Sequence, residues 1–156
     1  MGNKHLNSSF IPQQAANLPL DQSYINKQAD FLEGWLREGN DALAIVSIKL
    51  LQDDFQCFSD WSKSEMKAFW DFNRKVHQYS WKQIYSSASK QLGQKTGFAY
   101  TVIDRSSYPD SQFKKALTPE TTFFELRVNG DMRVHGFRYK ALFYLCWLDR
   151  EHQICP

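Results

Sequence analysis

The densest run of strand-forming residues in the chain is TTFFELRVNGDMRVHGFRYKALFYLCWLDREH, residues 121–152. Aromatic and β-branched side chains fill three segments of it, which are separated by Asn-Gly at 129–130 and by Tyr-Lys-Ala at 139–141. Such residues suit the pleated surface of a sheet, and Asn-Gly is a frequent hairpin turn. The run therefore predicts a meander of three antiparallel strands.

The register of the first hairpin decides which side chains share a face. A two-residue Asn-Gly turn would mix polar and apolar side chains on both faces. A three-residue loop at 129–131 instead pairs Glu125 with His135 and Arg127 with Arg133, and a slip of one residue would reverse every side chain. We therefore predict the longer loop, which gathers these apolar side chains on one face: Phe124, Leu126, Val128, Met132 and Val134.

The opposite face would present four polar side chains: Glu125, Arg127, Arg133 and His135. Two arginines directly across from each other destabilise a sheet by roughly a few tenths of a kcal/mol or more, so the pair favours a neighbouring anion. Either Glu125 or a phosphate group can supply that charge. We predict that this face is exposed, and exposed faces of ordinary antiparallel sheets also place Glu and Arg in cross-strand pairs.

The second and third strands contain two further signals. Gly136 interrupts the second strand and indicates a β-bulge, which would turn Phe137 inward and bring Arg138 onto the polar face. The third strand, residues 142–148, is apolar on both faces, which places it inside the sheet. Its two predicted faces are Phe143, Leu145 and Trp147 on one side and Tyr144, Cys146 and Leu148 on the other.

Composition limits the size and the class of the protein. The chain has 156 residues, 42% of them hydrophobic, which is enough for one well-buried domain but not for two. A net charge of +2 leaves no large electrostatic surface for duplex nucleic acid, so any such contact must be local. The three cysteines match neither a disulfide framework nor a metal site, and no metal or other cofactor is predicted. Without a secretory segment or a membrane-spanning apolar run, the predicted location is cytoplasmic.

The elements before the meander complete the predicted architecture. Residues 1–22 indicate a flexible N-terminal arm, and residues 23–156 indicate a single domain that begins with a helix at 23–38. Residues 42–51 favour a strand, although their Ala and Leu content also permits a helix. The predicted fold is α+β: a strand, a helical hairpin packed on a small antiparallel sheet, and the three-stranded meander, with the added N-terminal helix covering part of the second face.

Two capping boxes predict where the helical hairpin begins. The Ser-x-x-Glu spacing at 62–65 and the Ser-x-x-Gln spacing at 80–83 place helix starts at Lys63 and Trp81. We interpret His77, near the end of the first helix, as a core histidine with a hydrogen-bond partner rather than as a catalytic group. The predicted inner stripe of that helix contains Met66, Phe69, Trp70, Val76 and His77.

This order of elements, with arginines on the middle strand of the meander, resembles the RelE/YoeB/ParE superfamily of bacterial toxins. The resemblance covers roughly residues 42–152 and depends on element order together with a residue pattern. The segments RVHGFR at 133–138 and FYLCWLD at 143–149, followed by His152, are also similar to the ending of a set of small uncharacterised bacterial proteins. That second similarity implies no function.

The resemblance to the toxins implies an activity and a set of residues. The nuclease members are ribonucleases that cut messenger RNA, commonly on the ribosome, and a partner antitoxin holds them inactive. The YoeB-like branch uses a glutamate on the strand after the helices, arginines on the next strand and a histidine near the C-terminus. The matching positions are Glu125, Arg133 or Arg138, and His152, and Gln153 replaces the aromatic residue that often follows the histidine.

The same side chains suit RNA cleavage without a metal. That reaction needs a base for the 2′-hydroxyl, positive charge for the phosphorane-like transition state and an acid for the leaving oxygen. Either Glu125 or His135 is the predicted base, and His152 is the predicted acid. Arginine suits the phosphate clamp because its fork matches phosphate oxygens and stays charged. The predicted catalytic residues are Glu125, Arg133, His135, Arg138 and His152, and the predicted substrate-binding residues are Arg127, Lys140 and Arg150.

A second hypothesis assigns the same face to protein binding. The ParE branch blocks a gyrase rather than cutting RNA, and an accessory subunit of a toxin-antitoxin or defence system is a third interpretation. An interaction protein would depend on exposed aromatic side chains such as Phe123 and Tyr139. An endoribonuclease would instead lose cleavage when Glu125, Arg138 or His152 is replaced by alanine.

Overall fold

The computed structural model describes residues 38–87 and 97–156, which form a mixed α+β fold around a five-stranded sheet. This confirms the α+β class predicted from the sequence, but the sheet is mixed rather than antiparallel, because its first strand pairs in parallel with its last. The predicted arm at 1–22 lies outside the described residues, as does the predicted helix at 23–38 except for its last residue. None of the helices within the described ranges is long and apolar enough to cross a membrane.

The sheet consists of β1 (Ile45–Ser47), β2 (Thr101–Val102), β3 (Phe123–Asn129), β4 (Met132–Tyr139) and β5 (Leu142–Asp149). Their spatial order is β1-β5-β4-β3-β2, with β1 parallel to β5 and every other neighbouring pair antiparallel. Because β5 is paired on both edges, its residues can be apolar on both faces. β1 occupies only three residues of the segment that favoured a strand.

The helices are α1 (Lys63–Val76), α2 (Trp81–Ser86) and α3 (Gln112–Ala116). α1 and α2 begin at the residues that the capping boxes predict. In each box the N-cap hydroxyl accepts the backbone N–H of the third helical residue, whose own side chain accepts the N-cap N–H. These bonds satisfy backbone groups that a helix start leaves unpaired. α2 ends at Ser86, and Ser87 is its C-cap.

The inner face of α1 differs from the predicted stripe. Met66 and Trp70 are 37% and 58% exposed, whereas Phe72, which the predicted stripe omits, is buried. Val76 is buried as predicted. Phe72 packs edge-on against Phe98, with 5.9 Å between the ring centroids, and Phe98 belongs to the connection before β2. Helical periodicity alone does not reveal which partner a helix packs against, so the true stripe is rotated from the predicted one.

His77 joins the end of α1 to the first strand. Its Nε2 accepts a hydrogen bond from the backbone N–H of Val46 at 3.0 Å. Burial lowers the pKa of His77, which favours the neutral imidazole that this acceptor role requires. The predicted hydrogen-bond partner of His77 is therefore confirmed, although the side chain is only half-buried rather than part of the core.

The two faces of the sheet have different covers. α1 and α2 cover one face, which we call the helix side, and its buried residues include Trp81, Leu126, Val134, Phe143 and Leu148. The connection around Tyr108 and the C-terminal residues cover the other face, which we call the cluster side. Tyr108 stacks there on Trp147, with 4.6 Å between ring centroids. The prediction that the polar face is exposed is therefore wrong, because the long connection folds over it.

A β-bulge on β5 changes the sidedness of the last strand. His135 pairs with Trp147, but Gly136 pairs with Leu145, so Cys146 is an extra residue on β5. Cys146 and Trp147 consequently both lie on the cluster side. Every later residue of β5 lies on the face opposite to the one that simple alternation predicts.

Gly136 faces this bulge rather than forming one. A Cβ at Gly136 would lie 1.9 Å from the carbonyl oxygen of Tyr144, so only glycine allows the two strands to approach this closely. β4 itself keeps its alternation, which leaves Phe137 on the cluster side and places Arg138 over the ring of Trp81 on the helix side. The prediction that Arg138 joins the polar face is therefore wrong.

The β3–β4 hairpin has the predicted register in its central part, with the pairs Glu125–His135, Leu126–Val134 and Arg127–Arg133. At the turn, Asn129 pairs with Met132, so Val128 is an extra residue on β3. Gly130 and Asp131 form the turn, and Gly130 has a φ of +51°, which glycine adopts without strain. The predicted pairing of Val128 with Met132 is wrong, although Val128 still packs on the helix side.

Candidate functional site

Five polar side chains meet on the cluster side of the sheet, and we call them the polar cluster. β3 supplies Glu125, β4 supplies Arg133 and His135, β5 ends in Asp149, and the C-terminal turn supplies His152. The sequence predicts all of them as site residues except Asp149. Strand alternation brings the first three together, because opposed and next-but-one residues of neighbouring strands share a face.

Glu125 lies at the centre of the polar cluster. Its Oε2 is 3.7 Å from His152 Nε2 and 3.8 Å from His135 Nε2. Its Oε1 is 3.7 Å from Arg133 Nε. These distances are longer than hydrogen bonds. The contact with Arg133 is an ion pair, and each imidazole becomes a charged partner only when it is protonated. Because the Glu125 side chain is only 8% exposed, solvent screens these contacts weakly.

His135 is completely buried and bridges a hydroxyl to the carboxylates. Its Nδ1 is 3.0 Å from the hydroxyl oxygen of Tyr108, and its Nε2 is 3.4 Å from Asp149 Oδ2. Burial, followed by the charge of Glu125, raises the pKa of Tyr108, so the hydroxyl keeps its proton and can donate it to Nδ1. When Nδ1 accepts the hydroxyl proton of Tyr108, it is Nε2 of His135 that presents an N–H to the carboxylates.

Asp149 folds the C-terminal residues back onto the sheet. Its two carboxylate oxygens accept the backbone N–H groups of Gln153 at 2.8 Å and Ile154 at 2.9 Å. Burial acts to raise the pKa of Asp149, but the contact with His135 and the hydrogen bonds from these two N–H groups outweigh it and hold the pKa below its usual range. Asp149 is the site residue that the sequence missed, because the bulge at Cys146 is needed to turn it toward His135.

His152 stands on the turn that Asp149 closes. Its φ of +54° is in the left-handed region, which costs a residue with a Cβ about 1–2 kcal/mol. Ile154, two residues further on, is buried among the apolar side chains of the cluster side. The His152 side chain is 25% exposed, whereas that of Glu125 is 8% exposed and that of His135 is fully buried. His152 is thus the most exposed member of the polar cluster.

Arg133 is held by the hairpin turn. Its Nη1 donates to the carbonyl oxygens of Gly130 at 2.7 Å and Met132 at 3.1 Å. Burial lowers the pKa of Arg133 and the charge of Glu125 opposes that effect, so the guanidinium remains charged at neutral pH. Arg127 lies directly across from it, and the two arginines line a cleft of about 570 Å³ at the tip of the hairpin.

Arg138 belongs to the helix side instead. Its guanidinium donates to Asn40 Oδ1 at 2.7 Å and to the Tyr85 hydroxyl at 3.0 Å. It also lies 4.7 Å from the centre of the Trp81 ring. These contacts join the start of the described chain to β4, and the predicted catalytic role of Arg138 in the polar cluster is wrong.

Two of the three predicted substrate-binding residues, Lys140 and Arg150, have side chains that pair outside the polar cluster. Lys140 follows β4 and pairs with Glu38 at 3.3 Å. Arg150 lies 3.7 Å from Glu65 at the start of α1, and its guanidinium also donates to the carbonyl oxygen of Asp60. Both side chains therefore connect surface segments, whereas Arg127 lies directly across from Arg133 of the polar cluster.

The cover over the polar cluster is itself fixed by a buried charge. Lys114 donates from Nζ to the carbonyl oxygen of Tyr108 at 2.9 Å and pairs with Asp110 at 2.8 Å. These contacts hold the Tyr108 hydroxyl against His135. Within residues 38–87 and 97–156, no three His, Cys, Asp or Glu side chains are arranged to hold a metal ion. The polar cluster itself contains two carboxylates, two imidazoles and one guanidinium.

No family model, curated protein or solved structure significantly matches the chain. The resemblance to the toxin superfamily therefore stays a prediction from element order and residue pattern. In the polar cluster, the nearly buried carboxylate of Glu125 lies between the partly exposed imidazole of His152 and the guanidinium of Arg133.

Proposed function

We propose that the protein is a metal-independent endoribonuclease that cleaves cytoplasmic RNA by general acid/base chemistry in the polar cluster. The observation that supports the proposal is the position of Glu125, which lies 3.7 Å from both His152 and Arg133. A carboxylate, an imidazole and a guanidinium can act as the base, the acid and the phosphate clamp that cleavage of RNA requires. The site is a nearly buried one entered beside His152, rather than an open sheet face.

In this mechanism Glu125 is the base. It accepts the proton of a ribose 2′-hydroxyl, and the 2′-oxygen then forms a bond to the adjacent phosphorus. Arg133 binds the phosphate oxygens and stabilises the charge of the phosphorane-like transition state. Its hydrogen bonds to the carbonyls of Gly130 and Met132 hold the guanidinium in place before the substrate arrives, which limits reorganisation.

His152 is the acid that completes the step. Its imidazolium donates a proton to the 5′-oxygen as the bond between that oxygen and phosphorus breaks. The products are a 2′,3′-cyclic phosphate and a free 5′-hydroxyl. Glu125 then holds the proton gained from the ribose while His152 is neutral, and their 3.7 Å contact allows the proton to return. Because a phosphate cannot enter a gap of 3.7 Å, the partly exposed His152 side chain moves aside to admit it.

Three buried groups act as positioning residues. His135 is completely buried and cannot touch a substrate, so it orients Glu125 instead of serving as the alternative base. Tyr108 holds the imidazole of His135 through Nδ1, and Asp149 holds both that imidazole and the turn that presents His152. We expect changes at these residues to alter the pH dependence of cleavage, because they set which proton each imidazole holds.

The resemblance to the toxins extends the proposal to a biological setting. The substrate is messenger RNA, which is cut on the ribosome. A partner antitoxin binds the nuclease and keeps it inactive until the antitoxin is removed. An antitoxin segment that covered His152 would block the entrance to the polar cluster. This part of the proposal is separate from the chemistry and fails on its own if free RNA is cleaved without ribosomes and no protein partner inhibits it.

The chemical proposal is tested with purified protein and labelled RNA. Glu125→Gln and His152→Ala should each lower the cleavage rate by about 100-fold or more, because each removes an acid/base group. Glu120→Gln is the matched control, since Glu120 is exposed and lies outside the polar cluster. Cleavage should persist with a chelator and leave a 2′,3′-cyclic phosphate. Equal cleavage rates for the wild type, Glu125→Gln and His152→Ala, measured on proteins shown to be folded, would refute the proposal.

A cellular test addresses the toxin assignment. Expression of the chain in a bacterium should slow growth and fragment RNA, whereas expression of Glu125→Ala or His152→Ala should do neither. Immunoblotting of all three strains establishes that the proteins accumulate to the same level. Normal growth and intact RNA in the presence of abundant wild-type protein would count against a toxin.

An interaction protein of the same fold is the second candidate. It is favoured by two exposed aromatic side chains, Tyr139 and Trp70, each 58% exposed. Phe123, which the same hypothesis names, is buried and cannot serve. If protein binding is the function, Tyr139→Ala and Trp70→Ala should abolish growth inhibition while RNA stays intact in every strain.

A further inference from the structure

The cleft at the tip of the β3–β4 hairpin has a charge pattern that the acid/base chemistry does not use. It has a volume of about 570 Å³ and lies between the hairpin tip and α1. Lys75 of α1, Arg127 of β3 and Arg133 of β4 all line it. Two carboxylates, Asp71 and Asp131, also line it. Asp71 is already paired with Arg74 at 2.6 Å.

The cations of the cleft are incompletely paired. Arg127 and Arg133 are directly opposed across the hairpin, an arrangement of like charges that favours a neighbouring anion. Glu125 supplies one for Arg133 at 3.7 Å, whereas no carboxylate of the described residues pairs with Arg127. The Nε atoms of both arginines are buried and have no hydrogen-bond partner among the described residues. Arg133 is 6% exposed, so its charge is largely desolvated. These features favour an anionic ligand with several oxygen acceptors.

Phe98 links the third cation to the arginines. The Phe98 carbonyl oxygen accepts the backbone N–H of Arg127 at 2.6 Å, and its ring lies 4.9 Å below the ammonium of Lys75. A cation over an aromatic ring is attracted to it, so Lys75 is held on the same side of Phe98 as the cleft. The positive charges on α1 and on the hairpin are thereby preorganised toward one volume.

We propose that this cleft binds the phosphodiester backbone of single-stranded RNA, in the segment next to the one that is cut. The inference rests on the proposed function, because Arg133 belongs to both the cleft and the polar cluster and lies 3.7 Å from Glu125. A single strand fits better than a duplex for two reasons. The site is a concave cleft, and a net charge of +2 provides no broad positive surface of the kind that duplexes need.

The inference is tested with a fluorescent single-stranded RNA whose 2′-hydroxyls are methylated, so that it binds without being cut. Lys75→Ala and Arg127→Ala should each weaken binding about tenfold and reduce the slope of log affinity against log salt by about 0.7. Lys82→Ala, an exposed lysine on α2 outside the cleft, is the matched control and should bind as the wild type does. Because Lys75 is exposed, its replacement should leave the thermal melting temperature unchanged.

The outcomes separate this inference from the nuclease proposal. Probe binding that depends on Lys75 and Arg127, in a wild type that cuts no RNA, would refute the nuclease and keep the cleft. Cleavage of RNA by a wild type whose Lys75→Ala and Arg127→Ala variants bind the probe normally would refute the cleft alone. Equal affinity for a duplex of the same sequence, or tighter and cleft-dependent binding of a polyglutamate peptide, would also overturn the assignment to single-stranded RNA.

Discussion

The helix side and the cluster side of the sheet use alternate residues of the same strands in opposite ways. On the helix side, Leu126 and Val134 are fully buried among apolar groups, and such burial stabilises a fold by about 1.5–3 kcal/mol per side chain. On the cluster side, Glu125 and His135 are buried as polar groups, and removing a charge from water costs several kcal/mol before pairing offsets it. One sheet thus separates a stabilising face from a face suited to chemistry.

The cluster side tolerates its charges because each has several partners. Asp149 accepts two backbone N–H groups and lies 3.4 Å from His135, and Glu125 has two imidazoles and a guanidinium around it. Removing one partner leaves another buried group unpaired, so small changes there have effects beyond the lost contact. On the helix side, by contrast, the loss in the free energy of unfolding increases with the side-chain volume that a substitution removes.

The largest effect should come from Gly136, which both faces depend on. Gly136→Ala would push a Cβ to 1.9 Å from the Tyr144 carbonyl oxygen, and we expect a loss of at least about 3 kcal/mol in the free energy of unfolding. Gly130→Ala is the control, since its added Cβ meets nothing within 4 Å and only the positive φ costs about 1–2 kcal/mol. Urea denaturation measures both, and equal losses would contradict the close approach of β4 and β5.

A pair of neighbouring residues on β3 should separate the two faces most clearly. Leu126→Ala should lower the free energy of unfolding by about 2–5 kcal/mol, because it opens a cavity on the helix side, yet leave cleavage per folded molecule intact. Glu125→Gln, one residue earlier on the other face, should abolish cleavage. Denaturation curves and initial rates on the same preparations measure this. Loss of cleavage in folded Leu126→Ala protein would show that the two faces are not independent.

Asp149→Asn should reveal the buried carboxylate through its pH dependence. The pKa of Asp149 is lower in the folded protein than in the unfolded chain, where an Asp titrates at about 3.9. The charged carboxylate therefore stabilises the fold fully above that unfolded pKa, and this stabilisation is lost as pH falls through the folded pKa. The variant should be less stable by roughly 1.5–3 kcal/mol at neutral pH, and the difference should shrink on acidification below about pH 4. A difference that stays constant down to pH 2 would contradict a charged Asp149.

His77→Gln should produce the smallest effect, on the helix side and in a different pH range. Burial lowers the pKa of His77, so the unfolded chain binds more protons below about pH 6.5 and the wild type loses stability as pH falls from there. Glutamine can still accept the Val46 N–H but does not titrate. The free energy of unfolding of the variant should therefore change less between about pH 7 and 5 than that of the wild type. The slopes of the two curves against pH should differ by less than about 1.4 kcal/mol per pH unit, the limit for one titrating group. Identical slopes would contradict the burial of His77.

Much of the architecture could be predicted because it depends on neighbouring residues. Period-two alternation along residues 123–135 and the penalty for a register slip were sufficient to pair Arg127 with Arg133. Serine followed three residues later by Glu or Gln was sufficient for the starts of α1 and α2, since a capping box is complete within four residues. In the candidate site, the same alternation placed Glu125 and His135 opposite each other.

The missed features all depend on contacts between distant segments. Gly136 did signal an irregularity, but it did not reveal that the extra residue would be Cys146 on the partner strand. Tyr108 contributes its hydroxyl only because the connection before α3 folds over the sheet, and nothing in its local sequence marks it. Arg138 leaves the polar face because the irregularity is on β5 and the alternation of β4 continues.

By itself the sequence determined the α+β class, the starts of two helices and the grouping of glutamate, arginine and histidine on one side of a hairpin. Those features follow from spacing along a strand or within one helical turn. Only the tertiary structure decided that this side is covered, that Asp149 joins it and that His152 turns back onto Glu125. The physical reason is that these outcomes depend on the close approach of β4 and β5 and on backbone hydrogen bonds to a buried carboxylate.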